Sequence, residues 1–85
     1  NVKIGDNCII NSGSIISHDC DIGDDVHIAP GAILAGSVTV ERGSVVGMGA
    51  TVFMGVKLGE AVTINNGINV FSDVPDGTII KSQEN

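Results

Sequence analysis

Aromatic residues are nearly missing. The 85-residue chain has no Trp and no Tyr, and only Phe53 and Phe71 represent the class. A core filled by large rings is therefore excluded. Basic residues are equally scarce: Lys3, Arg42, Lys57 and Lys81 stand against ten acidic residues, for a net charge of −6. With no basic stripe to meet phosphates, neither nucleic acid nor an anionic membrane surface is an expected partner. No apolar run approaches the roughly 18 residues of a membrane span, and no signal-peptide pattern is visible. Cys8 and Cys20 are too few for a disulfide framework. They stand either as a pair or as two small buried hydrophobes, and a cytoplasmic location is expected. The chain opens on Asn1 with a repeat running by Ile4. That start reads as a fragment with structure lost upstream.

What remains is glycine, small residues and aliphatics, in strict order. From Ile4 the chain reads in sixes: IGDNCI, INSGSI, ISHDCD, IGDDVH, IAPGAI, LAGSVT, VERGSV, VGMGAT, VFMGVK, LGEAVT, INNGIN, VFSDVP. The first position is Ile, Leu or Val in all twelve hexads, through Pro75. The fifth is always small or β-branched. Fifth and following first positions lie two apart, so on a strand they face the same way. They form one inward stripe, and both cysteines fall on it. The fourth position is Gly, Asn or Asp in ten of twelve hexads. These residues tolerate a left-handed backbone, so the chain bends once per hexad, after a strand of about four or five residues. Three bends close a triangle of 18 residues, and residues 4–75 make about four coils. A period of six draws no stripe on an α-helix. The expected fold is all-β, a parallel β-helix of triangular coils.

The outward sixth positions stack 18 apart. Ile9, His27, Val45 and Thr63 form one column. Ile15, Ile33, Thr51 and Asn69 form the next, and Asp21, Thr39, Lys57 and Pro75 the third. Exposed aliphatics aligned in the first two columns imply a partner surface, met by a closed homo-oligomer.

The titratable chemistry gathers in "ISHDCDIGDDVHIAPG", residues 16–31, which holds both histidines, four aspartates and Cys20. His18 takes the third place of its hexad, at a corner where a side chain can leave the prism. Asp19 follows it, and a carboxylate beside an imidazole fixes its tautomer and raises its basicity. His18–Asp19 reads either as a catalytic pair or as an exposed corner pair. Asp24 and Asp25 read as solvated corner residues.

The unbroken hexads resemble the hexapeptide-repeat acyltransferases. That resemblance implies a left-handed parallel β-helix, usually a homotrimer, with acyl-CoA bound between neighbours. "IINSGSIISHDCDIGDDVHIAPGAILAGSVTV" is similar to the C-terminal domain of the NeuD-type family. Its members are sialic acid O-acetyltransferases and UDP-4-amino-sugar N-acetyltransferases. Their N-terminal nucleotide-sugar-binding domain is expected to be absent here, leaving 1–75 as the β-helix and 76–85 as a tail. The resemblance implies acetyl transfer from acetyl-CoA to an amino or hydroxyl group of a sugar or nucleotide sugar. His18 would be the general base and Asp19, where many relatives carry Glu, its tuning partner. His27, Gly36, Met48 and Asn66 would contact acetyl-CoA, and Asn11 the acceptor. Gly36 follows His18 by 18 residues, so it stacks one coil on, and its N–H can approach the thioester oxygen because no Cβ intervenes. Met48 and Asn66 are likewise 18 apart, and relatives usually carry Gly at the latter.

Other readings stand beside this one. His27 also fits a plain subunit boundary, and Asn65 and Asn66 fit a turn. Catalytic zinc wants three protein ligands and the chain has two histidines, so no metal is expected. A non-catalytic trimerisation scaffold is the alternative function. "DVPDGTIIKSQEN" resembles the family's closing segment, but it ends in IIKSQEN where relatives run into a Gly-Asn-Pro-Ala loop that caps the helix. Lys57 and Lys81 are the candidates for CoA phosphates.

Overall fold

In the computed structural model, residues 1–83 are described. The first coil carries β1 (Lys3–Ile4), β2 (Ile9–Ile10) and β3 (Ile15–Ile16). The second has β4 (Asp21–Ile22), β5 (His27–Ile28) and β6 (Ile33–Leu34), and the third β7 (Thr39–Val40), β8 (Val45–Val46) and β9 (Thr51–Val52). The fourth has β10 (Lys57–Leu58), β11 (Thr63–Ile64) and β12 (Asn69–Val70), and β13 (Ile79–Ile80) follows. They pair in parallel into three sheets: β1-β4-β7-β10, β2-β5-β8-β11-β13 and β3-β6-β9-β12. These are the first, second and third faces of a triangular prism. The all-β parallel β-helix of about four coils read from the hexads is therefore observed, and it is consistent with left-handed winding.

Each strand has two residues, shorter than the four or five expected. The hydrogen-bonded side is longer than the strand: Lys3 N donates to Cys20 O and Gly5 N to Ile22 O, so bonding spans a side whose ends already bend. The bends come where the fourth positions put them. Eleven of the twelve have φ between 54° and 75°. Ser37 and Ala61 adopt this conformation without glycine's freedom, at about 1 kcal/mol each.

The inward stripe is the core. From the second coil on, every first position from Ile22 to Val70 is buried, and so is every fifth position from Cys20 to Val74. Burial of aliphatic surface is what holds the coils together. Ile4 and Ile10, in the terminal coil, keep 47% and 40% exposure. Both cysteines are free thiols on this stripe. Cys8 Sγ donates to Gly23 O at 3.1 Å and Cys20 Sγ to Ala35 O at 3.2 Å. Ser44, two coils beyond Cys8 in the same column, donates to Gly59 O at 2.7 Å. A fifth-position donor thus meets an inward carbonyl of the next coil, which satisfies a buried polar group.

The frame slips once. Strand partners are 18 apart through β12, but β13 pairs Thr63 with Ile79 and Leu58 bridges Val74, both 16 apart. The corner at residues 71–73 is two residues short. Asp73 is not left-handed there; its Oδ1 accepts from Lys57 N at 2.8 Å. Gly77, φ 73°, makes the next turn. Asp73 therefore stands next above Lys57, the place the hexad count assigns to Pro75. The segment expected as a tail from 76 carries the coil onward through β13, while residues 84–85 lie outside the described part.

Candidate active site

Three corners join the faces. The first corner holds Asp6–Asn7, Asp24–Asp25, Arg42–Gly43 and Glu60–Ala61. The second holds Asn11–Gly13, Pro30–Gly31, Met48–Gly49 and Asn66–Gly67. The third holds His18–Asp19, Gly36–Ser37, Met54–Gly55 and the shortened residues 71–73. Six of the seven expected site residues thus flank the third face: His18, Asp19 and Gly36 along one edge, Asn11, Met48 and Asn66 along the other. The seventh, His27, points out from the second face.

At the third corner the His18 ring leans onto Gly36. A Cβ at Gly36 would collide with His18 Nε2 and Cε1, so glycine is what makes room for the imidazole. His18 Nδ1 lies 3.2 Å from Asp19 Oδ2, and the side chains are 66% and 59% exposed. That hydrogen bond holds the Asp19 carboxyl below the ordinary aspartate value. An ionised carboxylate accepts only, so in the neutral ring Nδ1 carries the proton and Nε2 the lone pair. The pair is a base oriented by a carboxylate, with Nε2 on the Gly36 side.

Gly36 is buried against the His18 ring, and its backbone N–H makes no hydrogen bond among the described residues. At the other corners, three third-position N–H groups are met by a side-chain oxygen from the next coil. Asp6 N donates to Asp24 Oδ1 at 2.7 Å, Met48 N to Asn66 Oδ1 at 2.9 Å, and Glu60 N to Asp76 Oδ1 at 2.8 Å. At the third corner the residues that follow His18 are Gly36 and then Met54, whose side chains carry no oxygen. A donor without a protein partner, uncovered when the His18 ring swings aside, is a place for a substrate oxygen.

His27 N donates to Ser44 O at 3.0 Å, and the ring stands in register between Ile9 and Val45. Its Nε2 is buried with no hydrogen-bond partner. A buried imidazole nitrogen so left is a site of unmet polarity. Asn11 has its Oδ1 on Ser12 N at 3.0 Å, which turns the side chain back on its own corner. The Asn66 side chain caps Met48, so the turn reading of Asn66 is part of its geometry. Lys57 Nζ sits 3.2 Å from Glu41 on the first face, and Lys81 lies beside Asn65, which donates to its carbonyl at 3.1 Å. Among the described residues no three His, Cys, Asp or Glu side chains converge to hold a metal. Nor is any helix among them long and apolar enough to cross a membrane.

The sequence reading passed over three residues that share the third corner. Met54 follows His18 by 36 residues, two coils; Phe53 stands beside it and Phe71 one coil further. Multiples of 18 were the available signal.

The chain matches the bacterial transferase hexapeptide (six repeats) family over residues 1–36 and 19–53. The protein belongs to that family. Among solved structures it is similar to a perosamine N-acetyltransferase variant from Caulobacter crescentus in complex with CoA and GDP-perosamine. The two are 35% identical with a TM-score of 0.89, over 92% of this chain and 37% of that one. WeeI from Acinetobacter baumannii AYE is 33% identical with a TM-score of 0.90, over 93% of this chain and 40% of that one. The acetyltransferase domain of PglB from Neisseria gonorrhoeae FA1090, in complex with acetyl coenzyme A, is 34% identical with a TM-score of 0.83. That match covers 92% of this chain and 40% of that one. The chain thus spans 37% to 40% of the length of these relatives. No curated protein matches it.

Proposed function

We propose that this chain is the acetyltransferase part of an enzyme that moves the acetyl group of acetyl-CoA to an amino or hydroxyl group of a nucleotide-linked sugar. Within its family the reading places it with the NeuD-type enzymes. The observation that carries it is the third corner: an exposed imidazole with one nitrogen on Asp19 and the other over a glycine. The CoA and GDP-perosamine bound by the Caulobacter relative support the substrate classes.

The chemistry follows from the geometry. The acceptor's amino or hydroxyl group attacks the thioester carbonyl carbon, and His18 Nε2 takes the proton it releases. Asp19 keeps Nδ1 protonated and the ring oriented. The Gly36 N–H donates to the oxyanion of the tetrahedral intermediate. The C–S bond then breaks, and the CoA thiolate leaves with the proton from His18. The reading assigns His27 a contact with the donor near the thioester, Met48 and Asn66 the lining of its path, and Asn11 a contact with the acceptor through its amide Nδ2.

Three copies fit this reading. Ile9 and Ile15 are 54% and 52% exposed on the second and third faces, and a closed trimer covers both columns. His27 and His18 leave different faces of one chain, so a neighbour's surface completes the site. The two free thiols accord with work in the cytoplasm.

The test is His18→Ala, assayed with acetyl-CoA and a nucleotide-linked amino sugar, with mass measured in the same buffer. Turnover should fall by roughly 10²–10⁴ while mass and melting temperature hold. A wild type that binds no acetyl-CoA yet stays trimeric returns the scaffold reading.

A further inference from the structure

The chain's two aromatic rings are together, exposed, and on the edge that carries His18. Phe53 and Phe71 have centroids 4.3 Å apart at a tilt of 57°, and are 46% and 59% exposed. Met54, at the same corner, is 70% exposed. In a chain that otherwise avoids rings, an aromatic pair held in water needs a reason. The core has none to offer, since both rings lie outside it.

The coil order supplies a direction. The unpartnered N–H of Gly36 holds the same hexad place as those of Asp6, Met48 and Glu60, which donate toward the next coil. For Gly36 the next coil is that of Met54 and Phe53, and the one after holds Phe71. A thioester seated on Gly36 therefore has its sulfur side facing a strip of Met54, Phe53 and Phe71. Phe71 stands three coils from His18, about 14 Å at the strand spacing. That span suits a pantetheine–pyrophosphate arm. Beside Phe71 opens a cleft of about 330 Å³, lined also by Asn69, Ser72, Asp73, Pro75 and Gln83.

The geometry points to Phe71, backed by Phe53, as the platform on which the adenine of the acyl donor stacks. The inference rests on the acetyl-CoA reading above and deepens it. A purine offers a flat face to the ring, and the exocyclic amine of adenine finds the oxygens of Ser72 and Asp73 at the cleft edge. Met54 supports the thin part of the arm between thioester and base.

The test separates the base from the thioester. Phe71→Ala and Phe53→Ala are compared with wild type for binding of acetyl-CoA and of ADP alone, and for acetyl transfer from S-acetylpantetheine, which has no base. Phe71→Ala should weaken acetyl-CoA and ADP about tenfold and Phe53→Ala less, and Phe71→Ala should lose much less in transfer from S-acetylpantetheine than from acetyl-CoA. Phe71→Trp should restore binding. Equal loss with both thioesters overturns the platform, as does undiminished acetyl-CoA binding. A fall in oligomer mass in Phe71→Ala also overturns it, because the patch is then a contact between copies. If the wild type turns over neither thioester, the acetyltransferase reading fails. ADP then decides the platform alone: binding lost in Phe71→Ala supports it, and no binding to wild type overturns it.

Discussion

The first and third corners are built from the same hexad positions and put them to opposite uses. At the first corner, acidic side chains stitch coil to coil. Asp24 Oδ1 takes the N–H of Asp6, and Asn7 Nδ2 donates to Asp25 Oδ1 at 2.8 Å. At the third corner, Asp19 has the same left-handed backbone as Asp25, φ 59° against 58°. Yet its carboxylate turns to its neighbour His18, where that of Asp25 takes the Asn7 amide of the preceding coil. The next coil stacks Ser37 on Asp19 and Gly36 on His18, and the glycine leaves room for the ring. A repeat fold thus makes a site by leaving out the interlocking side chains at one corner. What reads as a missing contact in the scaffold is the space for substrate.

Putting a side chain back at Gly36 is the sharpest way to break that difference. Gly36 does not have a positive φ, so the backbone accepts alanine. The new Cβ meets the His18 ring, which is exposed and free to swing away. Gly36→Ala should lower kcat/KM by about 10²-fold, the order expected for a displaced catalytic group, with little change in melting temperature. Gly47→Ala, one hexad place earlier and at the edge of the second corner, is the contrasting substitution. There a Cβ meets Ile64 O at 2.5 Å and the Asn65 carbonyl carbon at 2.7 Å, both backbone. It should destabilise by about 1–3 kcal/mol. Stability loss without a matching activity loss in Gly36→Ala would sink the proposed role of that glycine.

Most of this was legible from spacing, because a solenoid converts sequence distance into height. Counting by 18 stacks His18 on Gly36 and Met48 beside Asn66, as observed. Fourth positions foretold the left-handed corners because few residue types suit that conformation. The count failed at VFSDVP, where Val, Asp and Val occupy the expected places. Asp can take a left-handed turn or accept a backbone N–H, and pattern alone does not choose. Asp73 took the N–H of Lys57 and the frame slipped by two residues. Nor does periodicity reveal that His27 Nε2 is buried without a partner, since that depends on how a ring settles among its neighbours.

Asp19→Asn tests the pairing itself. Asn keeps the left-handed corner available, so the melting temperature at neutral pH should hold, while kcat falls about tenfold, part of the base's total contribution. The pH dependence has a definite sign. Asp19 is lowered from an ordinary value of 3.8, chiefly by its hydrogen bond with His18. Any stability it lends is present above that ordinary value and lost as pH falls through its lowered one. A loss of activity between about pH 8 and 4 is therefore not the titration of Asp19. The same limb should persist in Asp19→Asn; its disappearance would assign the limb to the carboxylate.

The smallest effect is expected where the first corner is cut. Asp24→Ala removes the acceptor of the Asp6 N–H, a charge-assisted bond of 2.7 Å between the first two coils. Asp6 N is exposed, so water replaces part of what is lost, and about 1 kcal/mol should go. In a chain of 85 residues that is roughly 4–8 °C of melting temperature. The His18 ring, Asp19 and Gly36 lie at another corner, so kcat should stay at the wild-type value. An activity loss without a fall in melting temperature would mean that the two corners are not separate. The division between interlocking and catalytic edges would then have to be abandoned.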